Sequence, residues 1–264
     1  MARGWRDVVR RAGAPSSERA TAPVPTANET ATILSLPTVL LLFYFLCQPV
    51  FDAWHRFGYV RAPVARRAPA TRLAPEPLVA HADAWHELTR VSHALIHQPS
   101  GTHAHVLGNV VLVTVLAWAL LMLLTALGRR SLFALAYWEL VVVAPLVGSF
   151  AFDLFGETAH GYGASTIGFA FLGVVAAASS VALVGSHADS HGVATRSTPC
   201  PDGGWTLSPV LAGGVLVSVL VVIFSDLAAA SPATPVHQAG VVFGVLLGVV
   251  VVRFGEQLRT IVAT

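Results

Sequence analysis

Six apolar stretches, each about the length of a membrane crossing, constrain this chain more than any other feature. In the clearest, residues 106–128, no side chain is charged, and the stretch ends at Arg129-Arg130. A helix rises about 1.5 Å per residue and the hydrocarbon core of a bilayer is about 30 Å thick, so roughly twenty such residues span it. The others are 33–51, 131–152, 162–185, 205–225 and 235–252. Inside hydrocarbon every backbone N–H and C=O must be paired within the protein, which leaves helices as the solution for stretches of this length. The fold class expected is therefore an all-α membrane protein, a bundle of six transmembrane helices.

Composition agrees. Of 264 residues 55% are hydrophobic and 11% charged, against about 25% charged in an ordinary soluble domain, and the mean hydropathy is +0.67. A net charge of +2 is too weak for nucleic acid as a partner. All sixteen basic residues are arginine, which suits a GC-rich prokaryotic gene. A multi-pass protein of a prokaryotic cell membrane is expected, with the lipid bilayer as its surroundings. Cys47 lies in a span and Cys200 in a loop of the other sidedness, so a disulfide between them is not expected.

Residues 1–30 carry five arginines among Pro, Ala, Ser and Thr and read as a disordered basic tail. Residues 31–255 make up the membrane domain, and 256–264 a short C-terminal tail. Within the domain, 52–103 forms a long first loop. Its 61–77 segment is rich in Pro, Ala and Arg, whereas 78–97 has helical amphipathic spacing (Trp85, Leu88, Val91, Leu95, Ile96) and reads as an element lying at the interface. With the N-terminus cytoplasmic, ten arginines fall inside and six outside, all six in that one loop, where the positive-inside rule is weaker. This favours a cytoplasmic N-terminus.

The polar residues of the spans are unevenly placed. With six spans, the second, fourth and sixth run in the same direction and begin on the same face. The second begins His103-Ala-His105-Val-Leu-Gly-Asn109, the fourth reaches Ser165 within two turns, and the sixth contains His237 near its start. Asn109, Ser165 and His237 thus lie within about 10 Å of one surface. Polar groups in a membrane helix are costly unless they meet partners or a water-filled cavity. A serine facing an imidazole is the minimum nucleophile–base pair, and a side-chain amide such as Asn109, or His105 one turn earlier on the same helix face, can donate to an oxyanion. Gly240, Gly244 and Gly248 form a stripe on the sixth span, and Ala164 with Gly168 a notch on the fourth, surfaces that let helices approach closely.

In these residues the chain resembles the rhomboid family of intramembrane serine proteases. His105-Val-Leu-Gly-Asn109 matches the family's H-x-x-x-N, Gly163-Ala-Ser165 the start of G-x-S-G, and His237-Gln-Ala-Gly240-Val-Val-Phe-Gly244 its H-x-x-G-x-x-x-G. His93-Ala-Leu-Ile-His97 is similar to the family's approach to the second span. The resemblance implies a rhomboid-like six-span bundle in which Ser165 is the nucleophile and His237 the base of a dyad without an acid. Asn109, His105 and the Ser165 N–H would line the oxyanion site, and Phe169 would stack on the catalytic imidazole. Gly163, Gly240 and Gly244 would support these groups, residues 52–103 would be the membrane-associated first loop, and the fifth span a mobile gate. The implied reaction is hydrolysis of peptide bonds in or near transmembrane segments of membrane-protein substrates, with no metal and no cofactor. Three positions depart from the family pattern: Thr166 stands in place of the motif's last glycine, His86 follows Trp85 in place of an arginine, and the link between His97 and His105 is longer.

Other readings compete. A rhomboid-like pseudoprotease would bind membrane-protein clients without cutting them, but both dyad residues are present. His93 and His97 have i,i+4 spacing, yet no H-E-x-x-H metal motif occurs. Glu139 in the third span is expected to be a satisfied polar group inside the bundle rather than part of an ion path. A transporter would call for paired half-spans with charges at mid-depth, and the spans have neither.

Overall fold

The computed structural model describes residues 24–47, 49, 58–60, 82–97, 103–156, 160–161, 163–190 and 208–262. Among them are seven α-helices: α1 (Ala27–Leu42), α2 (Ala82–Ser92), α3 (Ala104–Ala126), α4 (Phe133–Phe155), α5 (Ser165–Ser190), α6 (Pro209–Ala229) and α7 (Thr234–Val262). All but α2 belong to segments long and apolar enough to cross a membrane, which makes this a six-span all-α membrane protein. Two two-residue strands, β1 (Tyr59–Val60) and β2 (His160–Gly161), pair antiparallel with Tyr59 opposite Gly161. Most of the stretch expected as a basic tail, and Cys200, fall outside the described residues.

The first helix begins earlier than the apolar count suggests. Thr26 caps it: its Oγ1 accepts from Glu29 N–H at 3.3 Å, and its own N–H donates to Glu29 Oε2 at 2.7 Å. Such a capping box satisfies two of the orphan donors at a helix start. Glu29 also receives two hydrogen bonds from Arg130 of the α3–α4 connection, at 2.7 and 2.6 Å. Pro37 sits inside α1 and cannot donate to the carbonyl of Ile33, a bond that hydrocarbon would leave unsatisfied. Tyr137 of α4 supplies the missing donor: its hydroxyl lies 3.4 Å from Ile33 O and accepts from Leu36 N–H at 3.2 Å.

The central helix is α5, whose buried side chains include Ile167, Ala170, Phe171, Val174, Val175 and Ala178. Its closest partner is α7, and the reason is glycine. A Cβ at Gly240 would stand 2.7 Å from Thr166 O, one at Gly244 would collide with Ala170 O, and one at Gly248 would stand 2.7 Å from the Ala177 Cβ. The stripe on the sixth span thus lies against the backbone of the fourth, as its spacing suggests. The matching notch differs from expectation. Gly168 faces Leu112 of α3, and Gly173 supplies the smooth surface, opposite the backbone of Val241 and Val245. Glu139 also departs from expectation: it lies on an exposed face of α4 beside Trp138, not inside the bundle. By contrast α6 exposes much of its surface, including Val210, Leu211, Val217, Val221 and Phe224.

The amphipathic element of the first loop forms α2, followed by a 3-10 turn His93–Leu95. It docks on the end of α4 through Arg90. That guanidinium bonds Glu87 at 2.7 Å and Asp153 at 3.0 Å, and lies over the rings of Tyr59 and Phe150 at 5.0 and 4.8 Å. Burial opposes the charge of Arg90, but the two carboxylates hold it above its ordinary pKa. Asp153 also accepts from the Tyr59 hydroxyl at 2.8 Å. Burial first, then that bond, raises the tyrosine pKa.

Candidate functional site

The beginnings of α3, α5 and α7 meet the first-loop residues at one end of the bundle. Gly163 precedes α5 with φ +97°, a conformation that strongly favours glycine. Its N–H donates to His93 O at 3.0 Å, and a Cβ at this position would stand 3.1 Å from His105 Nε2. Gly163 thus sets the turn that delivers Ser165 as the first residue of α5. The first intrahelical bond across this start runs from Gly168 N–H to Ala164 O at 3.0 Å. Helix geometry therefore leaves the N–H groups of residues 165–167 without intrahelical acceptors, a setting that favours negative charge.

Ser165 and His237 line the same cavity, of about 260 Å³. Thr166, His93 and Tyr59 line it too, as do Ser231 and Ala233 from the turn before α7. Burial pushes the His93 pKa down to about 4, and its Nδ1 is bonded to Thr89 O at 3.1 Å, so near neutrality the cavity wall here holds an uncharged imidazole. Among the described residues Ser165 makes no hydrogen bond to His237; the two share the cavity rather than a direct bond.

His237 is held from two sides. Phe169, one turn below Ser165 on the same face of α5, stacks on it with ring centroids 4.2 Å apart and planes 5° from parallel. Such a contact contributes about 0.5–1.5 kcal/mol beyond area burial. On its other edge, His237 Nδ1 is 2.7 Å from Asp226 Oδ1. Asp226 lies near the end of α6 and also accepts from Gln238 Nε2 at 3.1 Å, through Oδ2, while its backbone carbonyl accepts from Thr234 Oγ1 at 3.1 Å. The resemblance implies an imidazole with no acid; here a carboxylate is bonded to it. Sequence reasoning missed Asp226, although the signal was present: it ends one span eleven residues before His237 opens the next, across a short Ser-Pro-Ala-Thr-Pro turn.

Asn109 and His105 are placed differently from this group. Neither is part of the cavity wall. Asn109 is buried, and its Nδ2 lies 2.9 Å from His97 Nε2. His105 lies beside Gly163, its ring centroid 5.4 Å from that of His97. His97 is fully buried, which pushes its pKa down to about 4. It therefore acts as a neutral acceptor for the Asn109 amide, an assignment that also orients Asn109.

Thr166 fits through its neighbours. It is buried, and a Cβ at Gly148 of α4 would stand 2.8 Å from its Oγ1 and 2.9 Å from its Cγ2. Gly148 therefore gives up the space that the extra side chain takes. Among the described residues no three His, Cys, Asp or Glu side chains gather in a way that would hold a metal ion. No protein-family model matches this chain, and no curated protein matches its sequence.

Proposed function

We propose that this protein is a rhomboid-type intramembrane serine protease that hydrolyses peptide bonds in or near the transmembrane segments of membrane proteins. The observation that carries this reading is the placement of Ser165 and His237 on the wall of one cavity, with Phe169 stacked on the imidazole. The starts of α5 and α7 meet at this cavity, the arrangement a nucleophile and a base require, and α3 lies beside them against Gly163 and His97.

In this reading His237 takes the Ser165 hydroxyl proton as Oγ attacks the scissile carbonyl. The same proton then passes to the leaving amine, and water entering the cavity hydrolyses the acyl-enzyme by the reverse sequence. The α5 start supplies oxyanion donors beginning with the Ser165 N–H, while His105, beside Gly163, and Asn109, bonded to His97, stand outside the cavity wall and support that turn from α3. Loose nucleophile–base geometry before substrate binds is ordinary and tightens in the productive complex. The Arg90–Asp153–Tyr59 cluster keeps the first loop seated beside the cavity. We place the protein in a prokaryotic cell membrane with a cytoplasmic N-terminus, so the cavity lies at the outer face.

The test is covalent labelling of the purified protein by a fluorophosphonate, with the modified residue mapped by mass spectrometry. Labelling at Ser165 that is lost in His237→Ala supports the reading. A wild type that does not label and does not cleave any of several reporter segments would instead indicate a rhomboid-like protein that binds clients without cutting them.

A further inference from the structure

The carboxylate of Asp226 is unexplained by a two-residue mechanism. Its side chain and that of His237 are 12% and 14% exposed, so the pair is set largely apart from solvent. The 2.7 Å contact is made through Nδ1. A carboxylate can only accept, so Nδ1 must donate. That fixes the neutral ring with its proton on Nδ1 and leaves Nε2 bare. The base of a serine nucleophile needs this tautomer. Phe169 holds the ring plane while Asp226 holds the rotation within it. Asp226 itself is clamped by Gln238 Nε2 on its other oxygen and by the hydroxyl of Thr234 on its carbonyl.

We infer that Asp226 is a positioning residue that converts the Ser165–His237 pair into a serine–histidine–aspartate triad, built across the α6–α7 hairpin and oriented by Gln238. The inference rests on the protease reading for its catalytic meaning, but the tautomer it dictates exists whether or not the protein cleaves anything.

Gln238 makes the proposal distinctive. In Asp226→Asn, where Gln238 keeps the donation it makes in the wild type, the carboxamide oxygen turns toward it and the NH2 toward His237. The imidazole must then accept at Nδ1 and carry its proton on Nε2, the wrong form for a base. Asp226→Ala removes the constraint and leaves a mixture of tautomers. The conservative substitution is therefore expected to be the more damaging. A fixed wrong tautomer costs about 10⁴-fold in kcat in a soluble triad, and Asp226→Asn is expected to lose at least about 100-fold, more than Asp226→Ala. Adding Gln238→Met frees the amide to turn over and should restore at least about tenfold to Asp226→Asn.

The experiment combines rates with imidazole nitrogen NMR on protein labelled with ¹⁵N-histidine, the His237 signals being assigned by their loss in His237→Gln. The expected result is Nδ1–H in the wild type, Nε2–H in Asp226→Asn, and rates of fluorophosphonate labelling and peptide cleavage in the order above. Nε2–H in the wild type would overturn the proposal. So would Asp226→Asn that is milder than Asp226→Ala with Gln238→Met bringing no recovery, because that is the order a merely structural role gives. If the wild type neither labels nor cleaves, the protease reading fails, and the NMR tautomer still decides the role of Asp226.

Discussion

The fit between Gly148 and Thr166 predicts a substitution whose effect changes sign with its neighbour. Gly148 lies within α4, where alanine in place of glycine ordinarily stabilises a helix by about 0.5–1 kcal/mol. Here the added Cβ would stand 2.8, 2.9 and 3.2 Å from three atoms of the Thr166 side chain. Overpacking of this kind costs about 1–3 kcal/mol. In the native background the clash wins, and Gly148→Ala should destabilise by about 0.5–2 kcal/mol. With Thr166→Gly already made, all three opposing atoms are gone, and the same substitution should be neutral or stabilising by up to about 1 kcal/mol. The coupling in the double-mutant cycle is then about 0.5–3 kcal/mol. Thermal unfolding in detergent reads it as a shift of about 2–4 °C per kcal/mol, with near-equal starting stabilities not required. Equal shifts in both backgrounds would refute the claim that Gly148 makes the room for Thr166, and with it the account of how the altered motif fits.

Four further outcomes are expected. Gly244→Val drives a branched side chain into the Ala170 carbonyl and should separate α7 from α5, which trypsin sensitivity and loss of Ser165 labelling would report together. Phe169→Leu removes the ring stacked on His237 and should lower kcat about tenfold while leaving KM nearly unchanged, measured on a reporter substrate. Arg90→Met removes the guanidinium bonded to the half-buried Asp153 and should destabilise by about 1.5–3 kcal/mol, the range for a hydrogen bond to a charged group; adding Asp153→Asn should recover part of it in the same melting assay. His93 and His97 have folded pKa values of about 4 against an ordinary 6.5. The unfolded chain therefore binds more protons between these values. The stability they allow is complete above about pH 6.5 and is lost as pH falls toward 4, so a His93→Gln, His97→Gln double variant should show a flatter melting profile across that window.

Much of this architecture can be read from spacing. Span length and parity bring Ser165 and His237 to one end of the bundle, and the i,i+4 relation puts Phe169 beneath the serine. The four-residue glycine repeat gives the face of α7 that meets α5. What spacing hides are the faces of helices that are apolar all round, since a uniform helix has no stripe to point at a core. That is why Glu139 turns outward against expectation and why Gly173, not Gly168, meets α7. Asp226 was hidden differently. It falls one residue past the end assigned to its span, where an acid looks like a solvated loop residue, and only the closed turn from Ala230 to Ala233 carries it back to His237. Gly148 and Thr166 likewise belong to helices whose rotation is set by packing, so their complementarity has no signature in either helix alone.

The central claim is tested most directly by cleavage of a reporter transmembrane segment in liposomes by the wild type, Ser165→Ala and His237→Ala, with folding of all three confirmed by thermal melting. Product is expected from the wild type within or beside the membrane segment and none from either variant. Cleavage that persists in Ser165→Ala, or a folded wild type that cuts none of a panel of segments and leaves Ser165 unlabelled, would contradict that claim.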